Sequence, residues 1–292
     1  MTWPRAAVVA SVATQAAAVR DSLLQAGLGC DVITGGGTGT HAWDLASGVF
    51  TEIPNNPQLE TTDVLALRRL CDRHGAKLVL DPSSVGLASV DVLPHADVVC
   101  SSLTKYAASV GDVMAGMLAV NPARADAAAL LQTARAFVDA PYAGDAVALA
   151  QHIERMATVT AQLSSQAAEL ARRLAQHPSV RCVRTALTTA TSAHYQAMLR
   201  PGAGAGALIT LELKSDLRTV YDRLRVVKGP SFGLEFTLAA PFLWLAHFSE
   251  VTTPEGRESL RRAGLDPDLL RVSVGLEPIE EIWSAFEVAL RP

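Results

Sequence analysis

Short apolar runs, each followed by polar or turn-forming residues, recur through the first half of the chain. They lie at Ala7–Ser11, Cys30–Thr34, Gly48–Ile53, Lys77–Leu80, Asp97–Cys100 and Met114–Val120. Their β-branched content is typical of buried strands. Between most of them the apolar positions follow a helical period, as in TDVLALRRLCDRHG, which closes on Gly75 as helices often do. Strands that alternate with helices predict an α/β fold with a mostly parallel sheet.

The helical pattern is longest in the middle of the chain. From Asp145 to about His177 it runs without a break, with Asp145 as the expected N-cap. Further strands are expected near Val180–Val183, Leu208–Leu213 and Leu270–Val274, and further helices near Leu217–Leu224 and Ile279–Leu290. We therefore expect a first α/β domain over residues 1–144, a long connecting helix over 145–178 and a smaller C-terminal α/β domain over 179–292.

Composition and charge narrow the class of protein. With 292 residues and 49% hydrophobic content, the chain can bury a sizeable core. A net charge of −4 without blocks of like charge gives no indication of binding to nucleic acid or to an anionic membrane. Phe236–Ala246 is shorter than the ~20 apolar residues that cross a bilayer, and Ala6–Val19 favours a strand passing into a helix over a signal peptide. We expect a cytoplasmic protein.

The cysteines and histidines are scattered. Cys30, Cys71, Cys100 and Cys182 lie far apart, and three of them fall in or beside strand-like runs. This distribution favours reduced, mostly buried thiols. Because no cysteine or histidine pair has the spacing of metal ligands, no metal site is expected.

Polar side chains follow two of the predicted strands. Asp81 ends KLVLD, and Ser102, Thr104 and Lys105 follow ADVVC. Ligands of open α/β sheets bind at the carboxyl ends of strands, so these groups are expected to face one crevice. A lysine beside hydroxyls, with a carboxylate one strand away, suits pyridoxal phosphate. Taken alone, the same residues are also typical of a helix N-terminus with a solvated lysine and of a turn at Pro82.

Six ordered blocks extend this interpretation over nearly the whole chain. They are EIPNNPQLETTD, LVLDPSSVG, DVLPHADVVCSSLTKY, GDVMAGMLAVNP, KGPSFGLEFTLAAPF and LLRVSVGLE. In this order they resemble the Cys/Met-metabolism family of pyridoxal-phosphate enzymes. K-G-P-S-F-G and D-V-L-P are most similar to the fungal type of cystathionine γ-synthase. The resemblance implies the aspartate-aminotransferase fold (fold type I) and pyridoxal 5'-phosphate as the cofactor.

The resemblance also implies which residues hold that cofactor. Lys105 would form a Schiff base with it, and Asp81 would face the pyridine nitrogen. Ser102 and Thr104 would bind the phosphate. Asn56 would lie near the phenolic oxygen, although an asparagine before a proline is equally typical of a turn.

Two further residues are implied to contact the substrate. Arg271 would grip the α-carboxylate through two parallel hydrogen bonds, whereas a strand arginine without this role more often forms a structural ion pair. Ser231 would lie near the substrate. The implied reaction is γ-replacement on an activated homoserine with cysteine, a transsulfuration step of methionine and cysteine metabolism. A γ-lyase or a homoserine-ester sulfhydrylase would use the same residues. Small amino acids are the expected substrates, and the expected assembly is a homo-oligomer, either a dimer or a tetramer.

Departures from the family pattern concern the start of the chain. A glycine-containing helix start that gives N–H groups to the phosphate, and an arm that reaches the neighbouring subunit, would both precede residue 1. Where the family has an aromatic residue stacked on the cofactor ring, this sequence has Val12, Ala13, Thr14 and Gln15. We therefore hold a second expectation, a degenerate or truncated relative with weak cofactor binding and little catalysis.

Overall fold

A six-stranded sheet, the large sheet, forms the first half of the computed structural model. The structure describes residues 5–10, 29–34 and 48–291, the first two segments by their backbone. The strands are β1 Arg5–Ala10, β2 Gly29–Thr34, β3 Gly48–Glu52, β4 Lys77–Asp81, β5 Val98–Ser102 and β6 Gly116–Val120. Their order is β2-β1-β3-β4-β5-β6, and all neighbours are parallel except β5 and β6. The prediction of a mostly parallel sheet is confirmed.

Helix α1, Val64–His74, covers the large sheet and ends before Gly75 as the sequence predicts. The Asp63 carboxylate accepts a hydrogen bond from the Ala66 N–H at 2.8 Å, which caps the first turn. Gly75 closes the helix at φ +66°, a left-handed conformation that glycine adopts without strain. The buried face of the helix packs on strand residues such as Leu78, which is fully buried.

The carboxyl ends of the central strands meet at one edge of the large sheet. In the parallel register Glu52 lies opposite Asp81, and Leu80 lies opposite Val99. The edge therefore collects two carboxylates from β3 and β4. The chain then leaves β5 at Ser102 and returns through β6, so the connection between these strands lies at the same edge.

The helical segment in the middle of the chain differs from the prediction. It begins at Ala143 with Tyr142 as the cap residue, so Asp145 lies in the first turn and is not the N-cap. The segment consists of α3 Ala143–His152, a 3-10 turn at Ile153–Arg155 and α4 Met156–Ala175. An earlier helix, α2 Ala127–Phe137, precedes it. The apolar periodicity located the helical residues but not the 3-10 interruption.

A five-stranded sheet, the small sheet, forms the second half. Its strands are β7 Val180–Arg184, β8 Leu208–Leu213, β9 Val227–Lys228, β10 Leu238–Ala240 and β11 Leu270–Ser273. The order is β7-β8-β11-β10-β9, antiparallel except for β9 with β10. The helices of this half are α5 Ser192–Gln196, α6 Leu217–Arg223, α7 Phe242–Ala246, α8 Phe248–Val251, α9 Pro254–Arg262 and α10 Ile279–Ala289. Helices α4, α6 and α10 build its core with fully buried residues such as Leu170 and Phe286.

The predicted strands β7, β8 and β11 and helices α6 and α10 are confirmed within a residue or two. The division into domains at residues 144 and 178 stays a prediction. The Val12–Gln15 position lies outside the described residues, as does Cys30 apart from its backbone in β2. Cys71, Cys100 and Cys182 are free thiols. Within the described ranges, no helix is long and apolar enough to cross a bilayer, and no group of three metal-binding side chains is found.

Candidate active site

Lys105 lies in the connection between β5 and β6, at the carboxyl edge of the large sheet. The Ala115 carbonyl accepts hydrogen bonds from the Leu103 and Thr104 N–H groups at 2.9 and 3.2 Å, which ties this connection to the start of β6. The Lys105 ammonium donates to Ser231 Oγ at 2.9 Å. Burial lowers the pKa of Lys105, and the nearby charge of Arg271 lowers it further. Both effects favour the neutral amine, which is the nucleophilic form of a lysine.

Arg271 lies in β11 of the small sheet and is 2% exposed. Its guanidinium donates to Asn56 Oδ1 at 3.2 Å and to the carbonyl oxygens of Pro230 and Ser231. Every one of these acceptors is neutral, and no ion pair involves Arg271 among the described residues. The structural ion pair considered for this arginine is therefore absent from that part of the chain.

Two aromatic rings flank the Arg271 guanidinium. Its central carbon lies 4.6 Å from the centroid of Phe242 and 5.5 Å from that of Phe232. Burial lowers the pKa of Arg271 from 12.5 to about 10, which leaves it charged at neutral pH. A buried cation without an anionic partner attracts anions strongly, because burial weakens solvent screening.

Asp81 and Glu52 present two carboxyl groups at the ends of adjacent strands. Asp81 Oδ1 accepts a hydrogen bond from the Ser83 N–H at 2.9 Å, and burial raises the pKa of Asp81. Burial also raises the pKa of Glu52 to about 7, with the negative charge of Asp81 as the second cause. A negative carboxylate at this edge of the sheet would stabilise a buried cation, such as a protonated ring nitrogen.

The two predicted phosphate hydroxyls have different surroundings. Thr104 Oγ1 donates to the Ala115 carbonyl at 3.3 Å and accepts from the Ala115 N–H at 3.2 Å, so its bonding capacity is used within the chain. No hydrogen bond of the Ser102 hydroxyl is found within the described part of the chain, although the Ser102 N–H donates to Ser83 Oγ at 2.8 Å. Among the described residues the Ser102 hydroxyl at the strand end thus has no hydrogen-bond partner, whereas Thr104 stabilises the turn that carries Lys105.

Asn56 connects the two ends of the site. Its N–H donates to Glu52 Oε2 at 3.2 Å, and its Oδ1 accepts from Arg271. Ser231 closes the arrangement, since its hydroxyl contacts Lys105 and its carbonyl oxygen contacts Arg271. Hydrogen bonds thus connect Lys105, Ser231, Arg271, Asn56 and Glu52, and Glu52 lies opposite Asp81 at the edge of the large sheet. Ser102 ends β5, and Thr104 lies in the turn that carries Lys105. The roles of the seven predicted site residues stay predictions. A cavity of 570 Å³ beside Arg181 and Lys214 contains none of them.

Sequence reasoning missed several residues that contact the predicted site residues. Glu52 stood in the quoted E-I-P-N-N-P block, and its position at a strand end, like that of Asp81, was the available signal. Ser83, Phe232 and Phe242 carried no such signal, because their roles depend on contacts with residues distant in sequence.

Comparison with known proteins identifies the family. Residues 40–291 match the model of the Cys/Met metabolism PLP-dependent enzymes. This chain belongs to that family. The family resemblance and the pyridoxal-phosphate fold are therefore confirmed, and pyridoxal phosphate is the cofactor of the family.

Two relatives illustrate the range of names within the family. The chain is 43% identical over 249 residues to L-2-amino-4-chloropent-4-enoate dechlorinase/desaturase of Streptantibioticus cattleyicolor, covering 85% of this chain and 50% of that protein. It is 32% identical over 246 residues to cystathionine γ-synthase of Neurospora crassa, covering 83% of this chain and 39% of that protein. The chain thus spans half or less of the length of these relatives.

A solved structure supports the fold. The crystal structure of a cystathionine γ-lyase from Micromonospora echinospora superposes with a TM-score of 0.84. The superposition covers 99% of this chain and 76% of that one, at 23% sequence identity. At this level of identity the likeness concerns the fold alone.

Proposed function

We propose that this chain forms part of a pyridoxal-phosphate-dependent enzyme that removes a leaving group from the γ carbon of an L-α-amino acid. The observation that carries the proposal is the buried Arg271, whose acceptors among the described residues are all neutral. Its guanidinium bonds to the Ser231 carbonyl, and the Ser231 hydroxyl bonds to the Lys105 amine. An amino-acid substrate would supply a carboxylate to Arg271, and Lys105 would act on the neighbouring carbon.

The residues present fit the cofactor. Lys105 has a lowered pKa and would attach it, Asp81 would pair with its ring nitrogen, and the Ser102 hydroxyl would bind its phosphate. Bound pyridoxal phosphate supplies an electron sink that lets protons leave the carbon atoms next to the amino group. Thr104, whose hydroxyl bonds to Ala115, would contribute to the phosphate site by holding the turn.

Arg271 and Asn56 would orient the substrate. The guanidinium can exchange two neutral acceptors for the two oxygens of an α-carboxylate, and Asn56 Oδ1 keeps the guanidinium plane fixed while it does so. Orientation of this kind places the Cα–H bond towards Lys105.

Lys105 would move the protons. Its amine, once free, would take the proton from Cα and later exchange a proton at Cβ, because one flexible side chain can reach both carbons. The Ser231 hydroxyl, 2.9 Å from Nζ, would hold the amine in place between these steps.

The choice of a γ leaving group is supported by the names of relatives. One is called a dechlorinase of 2-amino-4-chloropent-4-enoate, a compound with chlorine on the γ carbon, and another is called a cystathionine γ-synthase. Replacement of the leaving group by cysteine, giving cystathionine, stays the first candidate. Elimination by a γ-lyase route, dechlorination and sulfhydrylation of a homoserine ester are branches at the same carbon.

The test begins with the cofactor and continues with turnover. The protein is titrated with pyridoxal phosphate by absorbance, reduced with borohydride and mapped by mass spectrometry, with Lys105→Ala as the control. O-acetyl-L-homoserine is then supplied with and without cysteine. Replacement yields cystathionine and acetate, whereas elimination consumes water and yields 2-oxobutanoate, ammonia and acetate.

Modification of Lys105 with release of acetate supports the proposal. A pyridoxyl group on Lys77, Lys214 or Lys228, or none at saturating cofactor, contradicts it. Weak binding without turnover would instead favour the degenerate-relative alternative. Cytoplasmic location and homo-oligomeric assembly stay predictions.

A further inference from the structure

Tyr106, the residue after Lys105, joins the two sheets beside the site. Its side chain is 2% exposed. The hydroxyl donates to the Ser84 carbonyl at 2.9 Å and accepts from the Ala207 N–H at 2.9 Å. Ser84 follows β4, which ends in Asp81, and Ala207 precedes β8 of the small sheet. One buried hydroxyl therefore links a loop of the large sheet to the residue just before a small-sheet strand.

Three glycines surround the Tyr106 side chain. A Cβ atom at Gly86 would lie 2.8 Å from Cγ of the ring, and one at Gly233 would lie 2.9 Å from Cδ2. A Cβ atom at Gly206 would lie 2.7 Å from the hydroxyl oxygen. All three glycines have positive φ, between +69° and +81°. The backbone thus approaches the ring more closely than any other residue type would permit, and the ring has no room to move.

The same contacts fix the substrate side of the site. Gly233 follows Ser231 by two residues, and its N–H donates to Ser273 Oγ in β11, the strand that carries Arg271. On the other side, Ser109 N–H donates to the Lys105 carbonyl at 2.7 Å, which closes the lysine turn on itself. The position of the Tyr106 ring therefore determines how the lysine turn sits against the Ser231 segment.

We propose that Tyr106 is a positioning residue that holds the Lys105 amine against Ser231 by locking the lysine turn to both sheets. The inference rests on the proposed function in one respect, that Lys105 is the reactive amine. Arg271 is the charged group that faces this amine among the described residues, and its separation from Lys105 depends on the same contacts. A shift of the turn would move the amine towards solvent and away from that charge.

The test uses Tyr106→Phe in the full chain, which keeps the ring and removes the hydroxyl. The readout is the rate at which Lys105 reacts with salicylaldehyde, an aromatic aldehyde without phosphate, trapped by borohydride and quantified by mass spectrometry across pH 6–10. We expect the rate near pH 7.5 to fall on the order of fivefold, the factor that corresponds to one lost hydrogen bond. The midpoint of the pH profile should move upward, towards that of an ordinary lysine.

Tyr195→Phe is the matched control. Tyr195 is also fully buried, and its hydroxyl donates to the Gly204 carbonyl at 2.8 Å. The Tyr195→Phe variant should lose stability in urea to a similar extent as Tyr106→Phe. It should leave the reaction rate and the pH profile of Lys105 unchanged. If Tyr106→Phe is too unstable to study, Gly86→Ala displaces the ring while keeping the hydroxyl, and we expect the same change in the Lys105 profile.

The outcomes separate the two claims. A Tyr106→Phe protein with lower stability but the wild-type rate and pH profile overturns the positioning role alone. If wild-type Lys105 does not react ahead of surface lysines such as Lys214, both the positioning role and the assignment of Lys105 are overturned.

Discussion

The two sheets contribute opposite charges to the site and do so by different structural means. The large sheet supplies carboxyl groups, Asp81 and Glu52, at the ends of parallel strands. The small sheet supplies a cation, Arg271, from within an antiparallel strand and already buried. Strand ends are close to loops and can accept new residues easily, whereas a strand interior fixes a side chain through its neighbours on both sides. In the proposed function, the large sheet would hold the cofactor and the small sheet would select the substrate.

Lys105 belongs to the large sheet by sequence and to both sheets by contact. The backbone N–H groups of Leu103 and Thr104, just before it, bond to the Ala115 carbonyl at the start of β6. The Lys105 amine bonds to Ser231 of the small-sheet half. Variants of large-sheet residues should therefore change cofactor binding, and variants of small-sheet residues should change substrate binding.

Asp81→Asn should have the largest effect, on cofactor binding and on the chemistry that the cofactor supports. Loss of a charge-assisted hydrogen bond weakens binding by roughly 1.5–3 kcal/mol, about ten- to 150-fold in Kd, and turnover should fall further because the electron sink is lost. Absorbance titration gives the Kd. The exposed Asp91→Asn, which loses only a surface ion pair with Arg200, serves as control. Equal Kd and turnover in Asp81→Asn and wild type would show that this carboxylate faces something else.

Arg271→Lys should leave cofactor binding unchanged and weaken substrate binding. The lysine keeps the charge but not the two parallel hydrogen bonds, so binding of L-norvaline to the cofactor-loaded protein should weaken about ten- to 100-fold. Binding of n-butylamine, which has no carboxylate, should not change. Arg218→Lys, a fully exposed site, is the control. Parallel weakening of both ligands would contradict a carboxylate-binding role.

Glu52→Gln should change the pH dependence of stability. The pKa of Glu52 is raised to about 7 by burial and by Asp81, so the folded state holds a proton that the unfolded chain releases near pH 4.5. Stability of the wild type should therefore fall as pH rises from about 4.5 to 7, and the glutamine variant should escape this loss. At pH 8 the variant should be more stable by about 2 kcal/mol, allowing for the partial exposure of Glu52. Urea unfolding at pH 4 and pH 8 measures the difference, and an equal difference at both values would count against this explanation.

The smallest effects should separate the two phosphate hydroxyls. Ser102→Ala removes a hydroxyl that has no hydrogen-bond partner among the described residues, and it should weaken cofactor binding by about 1 kcal/mol without lowering stability. Thr104→Val removes the bonds to Ala115 and should lower stability by about 1–3 kcal/mol, with cofactor binding affected only through the turn. The reverse assignment, a stable Thr104→Val with poor cofactor binding, would show that Thr104 contacts the phosphate directly.

The extent to which the sequence predicts this molecule varies by region. The end of helix α1 was predicted because Gly75 acts on its own neighbours in sequence. Strands β9 and β10, of two and three residues, are too short to show a periodicity. Strand β10 pairs with β11 some 30 residues later, and β9 pairs with β10. Among the site residues, Lys105 and Asp81 were recognisable from their positions at strand ends. The contacts of Thr104 with Ala115 and of Glu52 with Asn56 depend on the path that the backbone takes after each strand.

Arg271 has one further consequence, for the way the protein would discriminate among ligands. Because its guanidinium is already hydrogen-bonded to carbonyl and amide oxygens, an arriving ligand trades one set of acceptors for another. A neutral ligand gains nothing from such a trade, whereas a carboxylate gains the full difference between a charged and an uncharged acceptor. The site would therefore act as a filter for anionic ends before any bond is broken, and metabolites that share the side chain but lack the carboxylate would pass without being retained.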